Sequence, residues 1–362
     1  MATLPAPKSQ TVEAIQTWWQ GKLQRPSRRL GASQIGEKCE RRQWYSFRWA
    51  MLGESPFDGR MLRLFNRGHR EEAVFIEELR GIGVDVRDVD PATGEQFTFT
   101  AAGGHFVAKI DGVGLRVPEA PKTWHNLSFK TANDKSWREL SAKGVQAAQP
   151  KNWAQNQIEM HLSQLTRTLF ISANKNDDSL YSERIRYDEA EAAALLAKAE
   201  RIIYAAEPLP GISEDPAHYR CKSCPAAAVC HTPKLPAKSC RTCLHATPEP
   251  DGDGRWSCAK WKADIPLDAQ RAGCDSHLYV PALLKRWGEV QDASEAEGWV
   301  EYRADDGLVF RNGPWGPDSY TSAELEKATP ALLRSEEFLK LRAKYQGRVV
   351  SFDEAGEQKE AA

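Results

Sequence analysis

The sequence lacks any long apolar run, which limits where the protein can act. No stretch of about 18 or more apolar residues occurs in its 362 residues, so we expect no membrane-spanning helix. Its first residues also lack a basic segment followed by an apolar one, the pattern of a secretion signal. We therefore expect a cytoplasmic protein without a membrane partner.

The sequence also has almost no net charge. Its 49 Lys and Arg residues against 50 Asp and Glu residues give −1, which excludes a uniformly basic, histone-like nucleic-acid binder. The charge is nevertheless uneven, because Lys22 to Arg70 holds twelve basic and four acidic residues, a net of +8. This basic segment is either a phosphate-contacting surface or a solvated face without a ligand.

Internal repeats and targeting motifs are absent too, so the length has to be divided by composition. A chain this long predicts several modules rather than one compact domain. Local patterns predict an N-terminal helix in 1–30, a core in 31–232, a cysteine-rich module in 233–282 and a small α+β region in 283–362.

Hydrophobic periodicity predicts the elements of the core. Helices are expected at 11–24, 65–81, 153–169 and 188–206, and Ser33 is a candidate N-cap for another helix that runs to about residue 50 and contains Cys39. An apolar stripe on the 153–169 helix is formed by Ile158, Leu162, Leu165 and Leu169. Strands are expected at 84–89, 96–100, 105–110, 124–131, 169–173 and 181–187.

The last region carries two short structural signals. Residues 300–312 read as a hairpin about Asp306 and Gly307. Thr321 and Glu324 form a capping-box pattern that predicts the start of a helix.

A candidate metal site lies on two strands of the core. Asp111 ends one predicted strand before Gly112, and sixteen residues separate it from Ser128 on the next. The period of two places Ser128 and Lys130 on one face of that strand. Converging carboxylates that bind Mg²⁺ or Mn²⁺, with a cation nearby, are what metal-dependent phosphodiester hydrolysis needs. The alternative for Asp111 is a turn-forming role beside the glycine.

These motifs resemble those of the PD-(D/E)XK nucleases, in particular the RecB-like branch with CRISPR-associated and AddB-type iron–sulfur nucleases and phage recombination exonucleases. The matching pieces are Gly68-His69-Arg70-Glu71-Glu72, Asp111, Phe129-Lys130-Thr131 and Gln155. The resemblance implies an α/β fold with a restriction-endonuclease-like central mixed sheet flanked by helices, to which a small zinc module and a small α+β tail are added.

The resemblance also implies roles for individual residues. Asp111 would bind the metal, Lys130 would orient or activate the attacking water, and Phe129 would offer only its backbone carbonyl to the metal. His69 or Glu72 would complete or support the metal shell. The alternative for His69 and Glu72 is a solvated pair on a helix surface.

The sequence departs from the family pattern at Ser128, where the family places Asp or Glu. A neutral hydroxyl cannot supply the missing negative charge. Gln155 and Glu159 are four residues apart on one helix face, and many relatives carry Tyr at the second of these positions. In some restriction enzymes of this superfamily the strand acid is replaced by Ser and a Glu on the following helix takes its role. Our hypothesis is that Glu159 does so here; the alternative is a degenerated site.

Eight cysteines fall into two sets of four, which in a reducing compartment favours metal ligation over disulfides. Cys39 stands alone, and Cys221, Cys224 and Cys230 follow the core, a split that RecB-like iron–sulfur nucleases share. By resemblance, this set binds a 4Fe–4S cluster that ties the N-terminal helix to the far edge of the core. Spacing alone also allows zinc.

The second set has spacing close to that of zinc ribbons. Its members are Cys240, Cys243, Cys258 and Cys274, and Zn²⁺ is the expected metal. Nearby histidines are expected to be bystanders, because four sulfurs already complete the site. Basic and aromatic residues of this module either contact DNA or pack around the metal, and packing is preferred.

Three classes of function remain. The first is a divalent-metal-dependent DNA nuclease that acts on single-stranded DNA or duplex ends in recombination, repair or phage replication, with a recombination or replication protein as candidate partner. The second is a catalytically inactive nuclease-fold module that binds DNA or a protein. The third is a structural or regulatory protein that uses its two metal centres for assembly.

Overall fold

The computed structural model describes residues 9–22, 26–51 and 57–350. The chain forms two compact units. The first takes in Met1–Glu37 and Glu54–Glu200, and the second takes in Lys38–Gly53 and Arg201–Ala362. The short segment that carries Cys39 therefore belongs with the cysteine-rich second half of the chain.

Helices occur in both units. In chain order they are α1 (Gln10–Gln20), α2 (Ala32–Ile35), α3 (Glu40–Phe47), α4 (Gly59–Gly81), α5 (Asp134–Ala148), α6 (Pro150–Ser163), α7 (Glu189–Tyr204), α8 (Tyr219–Lys222), α9 (Ala227–His231), α10 (Leu267–Ala272), α11 (Ser322–Lys327), α12 (Pro330–Leu333) and α13 (Glu336–Tyr345). Two 3₁₀ helices span Cys240–Thr242 and Pro281–Leu283. Along the described ranges, no helix has the length and apolar character needed to cross a membrane.

The strands are mostly short. They are β1 (Leu30–Gly31), β2 (Asp85–Arg87), β3 (Thr98–Ala101), β4 (Phe106–Lys109), β5 (Val113–Leu115), β6 (His125–Ala132), β7 (Arg167–Asn174), β8 (Leu180–Arg186), β9 (Ala246–Pro248), β10 (Trp256–Cys258), β11 (Ala263–Asp264), β12 (Glu289–Ser294), β13 (Trp299–Arg303), β14 (Val309–Asn312) and β15 (Ser319–Tyr320).

The first unit is built on a five-stranded mixed sheet with the order β2-β5-β6-β7-β8. Strands β6 and β7 are parallel, with Ser128 paired to Phe170 and Lys130 paired to Ser172, and the other neighbours are antiparallel. A parallel pair needs a long crossover, and here α5 and α6 supply it. The structure therefore has the central mixed sheet that the sequence predicts.

Helices cover both faces of this sheet. On one face, α4 packs against β6 through Phe75 and Phe129, whose ring centroids lie 5.1 Å apart. On the other face, Met160 of α6 belongs to a buried apolar cluster with Phe170 of β7. Because side chains alternate along a strand, odd-numbered residues of β6 face α4 and even-numbered residues face α6.

A second, three-stranded sheet of the first unit has the order β1-β4-β3. Strand β4 leads directly towards Asp111. Its Phe106 and Ala108 are fully buried, so the end of the strand is fixed by packing. Gly112 follows with φ +149, and a Cβ there would lie 2.8 Å from the carbonyl oxygen of Arg87. The close approach requires glycine and orients the turn that holds Asp111.

The second unit combines the cysteine-rich region with the final α+β region. Its sheets have the orders β11-β10-β9 and β12-β13-β14-β15. The predicted hairpin is confirmed by β13 and β14, with Gly307 at φ +88 in the turn. The predicted capping box is confirmed as well, since Thr321 and Glu324 exchange side-chain-to-backbone hydrogen bonds at the start of α11.

Two buried arginines connect α3 to the cysteine-rich region within the second unit. Arg241 donates a 3.0 Å hydrogen bond to the carbonyl of Phe47, and its guanidinium lies 3.8 Å from the ring centroid of Trp49. Arg48 donates to the carbonyl of Ala246 at 3.2 Å. Burial lowers the pKa of Arg48 to about 10. The segment after Cys39 is thus packed into this unit rather than attached loosely to it.

Several of the predicted helices are wrong in their extent, including the one expected at 65–81, which begins at Gly59. The helix expected from Ser33 to residue 50 is two helices, α2 and α3, because Gly36 ends the first where a Cβ would lie 2.7 Å from the Cα of Lys151. Cys39 is the N-cap residue of α3 and does not lie inside a helix. The end of the helix predicted at 11–24 falls partly outside the described residues, and α1 ends at Gln20.

The helix predicted at 153–169 is also wrong at both ends. It begins at Pro150, which suits a first helical position, and it stops at Ser163 because Gln164 adopts a left-handed conformation. Leu165 therefore lies beyond the helix and Leu169 lies in β7. The apolar residues follow helical spacing by coincidence across a helix–strand boundary, so the predicted stripe does not exist as one surface.

Candidate active site

Asp111 is anchored to the strand that carries the lysine. Its Oδ2 atom accepts a 2.8 Å hydrogen bond from the backbone N–H of Phe129 in β6. This contact places the Asp111 carboxylate beside the middle of β6. The side chain therefore reaches the neighbouring strand and does not serve only to stabilise its own turn.

Ser128 and Lys130 differ sharply in their surroundings. Ser128 is 1% exposed, and its Oγ has no hydrogen-bond partner among the described residues. Lys130 is half-buried at the border of a cavity. A buried hydroxyl without a partner is unusual, because such groups lose their hydration and gain nothing in return.

Glu159 of α6 faces the same side of β6 and is 2% exposed. Its Oε2 accepts a 2.9 Å hydrogen bond from the side-chain amide of Asn126, and its Oε1 accepts one of 2.6 Å from Gln155. Asn126 also donates to the hydroxyl of Thr168 at 3.1 Å. Both carboxylate oxygens of Glu159 are thus fixed by neutral donors.

Asn126 is a site residue that sequence reasoning missed. It lies two residues before Ser128, so the same period of two that pairs Ser128 with Lys130 places Asn126 on their face of β6. That signal was available in the sequence. Its Oδ1 atom, like the Ser128 hydroxyl, has no hydrogen-bond partner in the part of the chain that the structure describes.

The charged groups of this region act on one another. Burial raises the pKa of Glu159 to about 7, the positive charge of Lys130 opposes that rise, and the negative charge of Asp111 adds to it. Asp111 and Lys130 therefore lie in one electrostatic neighbourhood with Glu159. A buried carboxyl with a perturbed pKa beside a lysine and a second carboxyl is typical of functional sites.

His69 and Glu72 lie one turn apart on α4. The Nδ1 atom of His69 is 3.5 Å from Oε1 of Glu72, with the side chains 73% and 35% exposed. Burial raises the pKa of Glu72, and the nearby charge of Asp111 raises it further. Glu72 thus faces the carboxylate cluster, whereas His69 is largely in solvent.

A cavity of about 910 Å³ adjoins these groups in the first unit. Its wall includes His69, Glu72, Phe129, Lys130 and Gln155. Asp111, Ser128 and Glu159 are not part of the wall itself. Gln155 connects the cavity to the residues behind its wall, since it lines the cavity and also donates a hydrogen bond to Glu159.

The donor set suits a hard divalent cation. Mg²⁺ and Mn²⁺ prefer oxygen ligands, and Asp111, Glu159 and the free amide oxygen of Asn126 offer them. No group of three or more His, Cys, Asp or Glu side chains is arranged to hold a metal ion in residues 9–22, 26–51 and 57–350. Neither these carboxylates nor either set of four cysteines is therefore arranged as a complete metal site in the described residues. At the carboxylates, neutral oxygens, water or a phosphate would have to contribute.

The first cysteine set comes together in the second unit. Burial raises the pKa of Cys221, and the neighbouring thiols of Cys230 and Cys39 raise it further. Burial also raises the pKa of Cys224, and the thiols of Cys39 and Cys230 raise it further. Arg41 donates to the sulfur of Cys230 at 3.6 Å and to Glu214 at 2.6 Å and 3.0 Å. Cys39 and the three cysteines at 221, 224 and 230, which are far from it in sequence, are thus close enough to influence one another.

The second cysteine set surrounds a small cavity of about 180 Å³, also in the second unit. The lining includes Cys240, Cys243, Cys258 and Cys274. Burial raises the pKa of Cys240 to about 11, with further contributions from the other three thiols. His277 also lines this cavity, and its Nε2 contacts the carbonyl of Ser239 at 3.0 Å and the hydroxyl of Thr242 at 3.2 Å.

The predicted basic segment from Lys22 to Arg70 is divided by the structure. Arg25 and Glu54 lie outside the described residues. The basic side chains at 60, 63, 67 and 70 are exposed along α4 of the first unit, and those at 38, 41, 42 and 48 belong to the second unit. The segment is therefore not one continuous surface of a single unit.

Comparison with known proteins gives structural neighbours only. No family model and no curated protein matches the sequence. The crystal structure of SSO0001 is similar at 14% identity and a TM-score of 0.39, covering 61% of this chain and 96% of that one. An alkaline exonuclease from Laribacter hongkongensis, LHK-Exo, is similar at 14% identity and a TM-score of 0.33, covering 51% of this chain and 90% of that one. The same exonuclease in complex with dAMP gives a TM-score of 0.32. At these scores the likeness adds no argument about function, which depends on the site itself.

Proposed function

We propose that the protein is a divalent-metal-dependent deoxyribonuclease in which Glu159 replaces the acid that is missing at Ser128. The observation that carries this proposal is the position of the Glu159 carboxylate. It is buried on the Ser128 face of β6, held by Asn126 and Gln155, and coupled electrostatically to Asp111 and Lys130. A carboxylate that has moved from strand to helix keeps the charge of the site unchanged.

Each side chain then has a defined task. Asp111 and Glu159 would hold Mg²⁺ or Mn²⁺, with the Phe129 carbonyl as a further candidate ligand. The bound ion supplies a positive charge that lowers the pKa of a coordinated water and offsets charge on the phosphate. Lys130 lies at the cavity wall, where its ammonium can orient that water or contact the scissile phosphate. Glu72 and His69 would support this shell from α4.

Asn126 and Gln155 hold the Glu159 carboxylate in position for metal binding. Two amide donors favour its ionised form and fix both oxygens, which limits the reorganisation needed when a cation binds. Gln155 reaches from the cavity wall to the buried carboxylate, so it positions Glu159 rather than reacting itself. Preorganisation of this kind is what a metal site requires from its surrounding residues.

The proposal is tested by incubating end-labelled single-stranded and duplex DNA with the full chain and Mn²⁺ or Mg²⁺. Cleavage is expected with the metal and not after its removal. Asp111→Asn and Lys130→Ala should abolish it while the proteins still bind DNA at low salt. Glu139→Gln, an exposed carboxylate of α5 that pairs with Lys143, is the matched control and should cleave like wild type.

A second candidate function is a DNA-binding module that does not cleave. The observation in its favour is the pKa of Glu159, about 7, which leaves part of the population protonated at neutral pH. DNA binding without cleavage at any pH or metal concentration would support this candidate over the first. Loss of binding as well, at low salt, would favour a structural or regulatory protein.

Recombination, repair and phage replication remain the proposed settings, because all three require nucleases that process DNA ends. A recombination or replication protein is the partner class that such a setting implies. The proposed location is the cytoplasm.

We further propose that Cys39, Cys221, Cys224 and Cys230 bind an iron–sulfur cluster, with zinc as the alternative. The mutual effect of these thiols on their pKa values supports a shared site. Its role would be structural, because a cluster here joins the start of α3 to α8 and α9 within the second unit. Anaerobic purification, colour and metal analysis test this: a brown protein with iron is expected, and a colourless one with zinc identifies the alternative.

The cysteines at 240, 243, 258 and 274 are proposed to bind zinc. Their common cavity supports this assignment, and the tetrahedral Cys₄ site is a usual structural zinc centre. Cys258→Ser should lower the zinc content by about one ion per chain and lower thermal stability. Unchanged zinc content would contradict the assignment.

A further inference from the structure

Of the aromatic side chains that line the candidate active-site cavity, Phe75 and Phe129 are buried core residues, whereas Trp19 and Phe65 are not buried and have no task in the hydrolysis proposed above. Trp19 projects from α1 and Phe65 from α4, and both belong to the cavity wall together with Lys130. Phe65 is 42% exposed although it is a large apolar residue. Exposed aromatic groups beside a polar cavity usually serve binding, because burying them elsewhere would be more favourable.

The aromatic wall has a defined construction. Helices α1 and α4 pack against each other, so Trp19 and Phe65 are presented by elements of one unit. The ring of Trp18 meets that of Trp19 edge-on at 5.2 Å, and Phe57 meets Phe65 edge-on at 4.9 Å. Edge contacts with these neighbours support each ring from the side.

The wall of the same cavity carries one more positive than negative side chain, with Lys22, Lys130 and Lys175 against Glu71 and Glu72. Lys22 and Lys175 line it, and Lys22 Nζ lies 4.0 Å from the ring centroid of Trp19. Burial and the adjacent Arg67 lower the pKa of Lys175. Among the residues that the structure describes, Lys22, Arg67 and Lys175 form no ion pair, although Glu71 and Glu72 also contribute to the wall. Such a rim favours an anionic ligand.

We propose that this cavity binds unpaired nucleotides at the end of a DNA strand. Bases would stack on Trp19 and Phe65, and Lys22 and Lys175 would contact phosphates on the way to Lys130. This inference rests on the proposed nuclease function and specifies its substrate as single-stranded ends. The volume of about 910 Å³ falls in the range of about 300–1,000 Å³ found for ligand pockets, so the cavity has room for nucleotides.

The aromatic side chains favour single-stranded DNA over duplex DNA as the ligand of this cavity. In a duplex each base is covered by its neighbours, so its face is not open to a protein side chain. An unpaired base can stack on any aromatic ring, whatever its sequence. Cations alone would serve either substrate, whereas cations with aromatic rings beside the lysine favour the unpaired strand.

The test measures binding of the full-length protein to a fluorescent oligothymidine and to a blunt duplex in buffer without divalent metal. Trp19→Leu and Phe65→Leu keep apolar volume but lose the ring. Each should weaken binding of the single strand by about 5- to 150-fold, the value of one base–aromatic stack, and leave duplex binding unchanged. Trp19→Phe should restore most of the affinity, which a merely structural role of the indole would not require.

Two residues of the same helices serve as matched controls. Val12 of α1 is 51% exposed and Val74 of α4 is 43% exposed, and neither lines the cavity. Val12→Ala and Val74→Ala should bind the single strand like wild type. If the Trp19 and Phe65 variants also bind like wild type, or if they weaken duplex binding equally, the inference is overturned.

The outcomes for binding and for cleavage are separable. Ring-dependent binding of single strands without cleavage in Mn²⁺ would leave this inference standing and refute the nuclease proposal. Cleavage that is unaffected by Trp19→Leu and Phe65→Leu would support the nuclease proposal and refute this inference. Thermal unfolding of each variant identifies any that fail to fold. Comparison of Trp19→Phe with Trp19→Leu then shows whether an aromatic ring at position 19 is needed to bind the single strand.

Discussion

The side-chain amide of Asn126 donates a 2.9 Å hydrogen bond to the carboxylate of Glu159, and both residues are buried. This bond ties β6, the strand of Lys130, to α6, the helix of the candidate replacement acid. It holds Glu159 against the face of β6 on which Ser128 lies.

Asn126→Ala should shift metal binding to higher pH. The amide favours the ionised form of Glu159, so removing it raises the pKa of that carboxyl above about 7. A hydrogen bond to a charged group contributes about 1.5–3 kcal/mol, so Mn²⁺ affinity at neutral pH should fall by at least about tenfold and recover in alkaline buffer. Calorimetric titration measures this, with Asn152→Ala as the control on α6. Identical pH profiles for Asn126→Ala and wild type would refute the coupling.

Ser128→Asp should rescue Glu159→Gln. The double variant returns a carboxylate to the strand while removing it from the helix, so the charge of the site is conserved. Cleavage by the double variant should exceed that of Glu159→Gln alone by about tenfold or more, which corresponds to about 1.4 kcal/mol of transition-state stabilisation. Equal rates for the single and double variants would mean that positions 128 and 159 do not share one task.

Glu159 also makes stability depend on pH. Its pKa is about 7 in the folded protein against an ordinary value of 4.5, so the folded state holds a proton that the unfolded state has lost. The resulting stability is fully present below about pH 4.5 and is lost as the pH rises through about 7. In metal-free buffer above this range, Glu159→Gln should be more stable than wild type by up to about 3 kcal/mol. Urea unfolding of both proteins at acidic and alkaline pH measures this difference in stability. A difference that does not grow with pH would contradict the raised pKa of Glu159.

Phe75→Ala should destabilise the first unit severely. Phe75 is 2% exposed and stacks on Phe129 at 5.1 Å, directly behind the strand that carries Lys130. Removing a buried aromatic ring costs about 3–5 kcal/mol, because apolar contacts are lost and a cavity remains. The adjacent Val74→Ala, at a site 43% exposed, should change the free energy of unfolding by less than about 0.5 kcal/mol. Similar losses for both variants would show that the helix packs differently.

Much of the core could be predicted because its periodicity is strong. The strands β6, β7 and β8 and the helix α7 lie within a few residues of their predicted positions. The end of α6 could not be predicted, since Gln164 stops the helix through a left-handed conformation for which its sequence gives no signal. Apolar residues on both sides of that stop happened to follow helical spacing.

The site was only partly readable from the sequence. The resemblance pointed to Asp111 and Lys130, and helical spacing from Gln155 pointed to Glu159; the charges of these three residues influence one another in the structure. The role of Asn126 needed the structure, because a buried amide on a strand has many uses until its partner is known. The cavity wall at Trp19 and Phe65 likewise depends on the packing of α1 against α4, which no local pattern specifies.

The most direct test of the central claim is the single-turnover rate of Mn²⁺-dependent cleavage by Glu159→Gln beside wild type. A loss of at least about 100-fold is expected, because a metal ligand contributes several kcal/mol to the transition state. A Glu159→Gln protein that binds Mn²⁺ and cleaves DNA at the wild-type rate would contradict it.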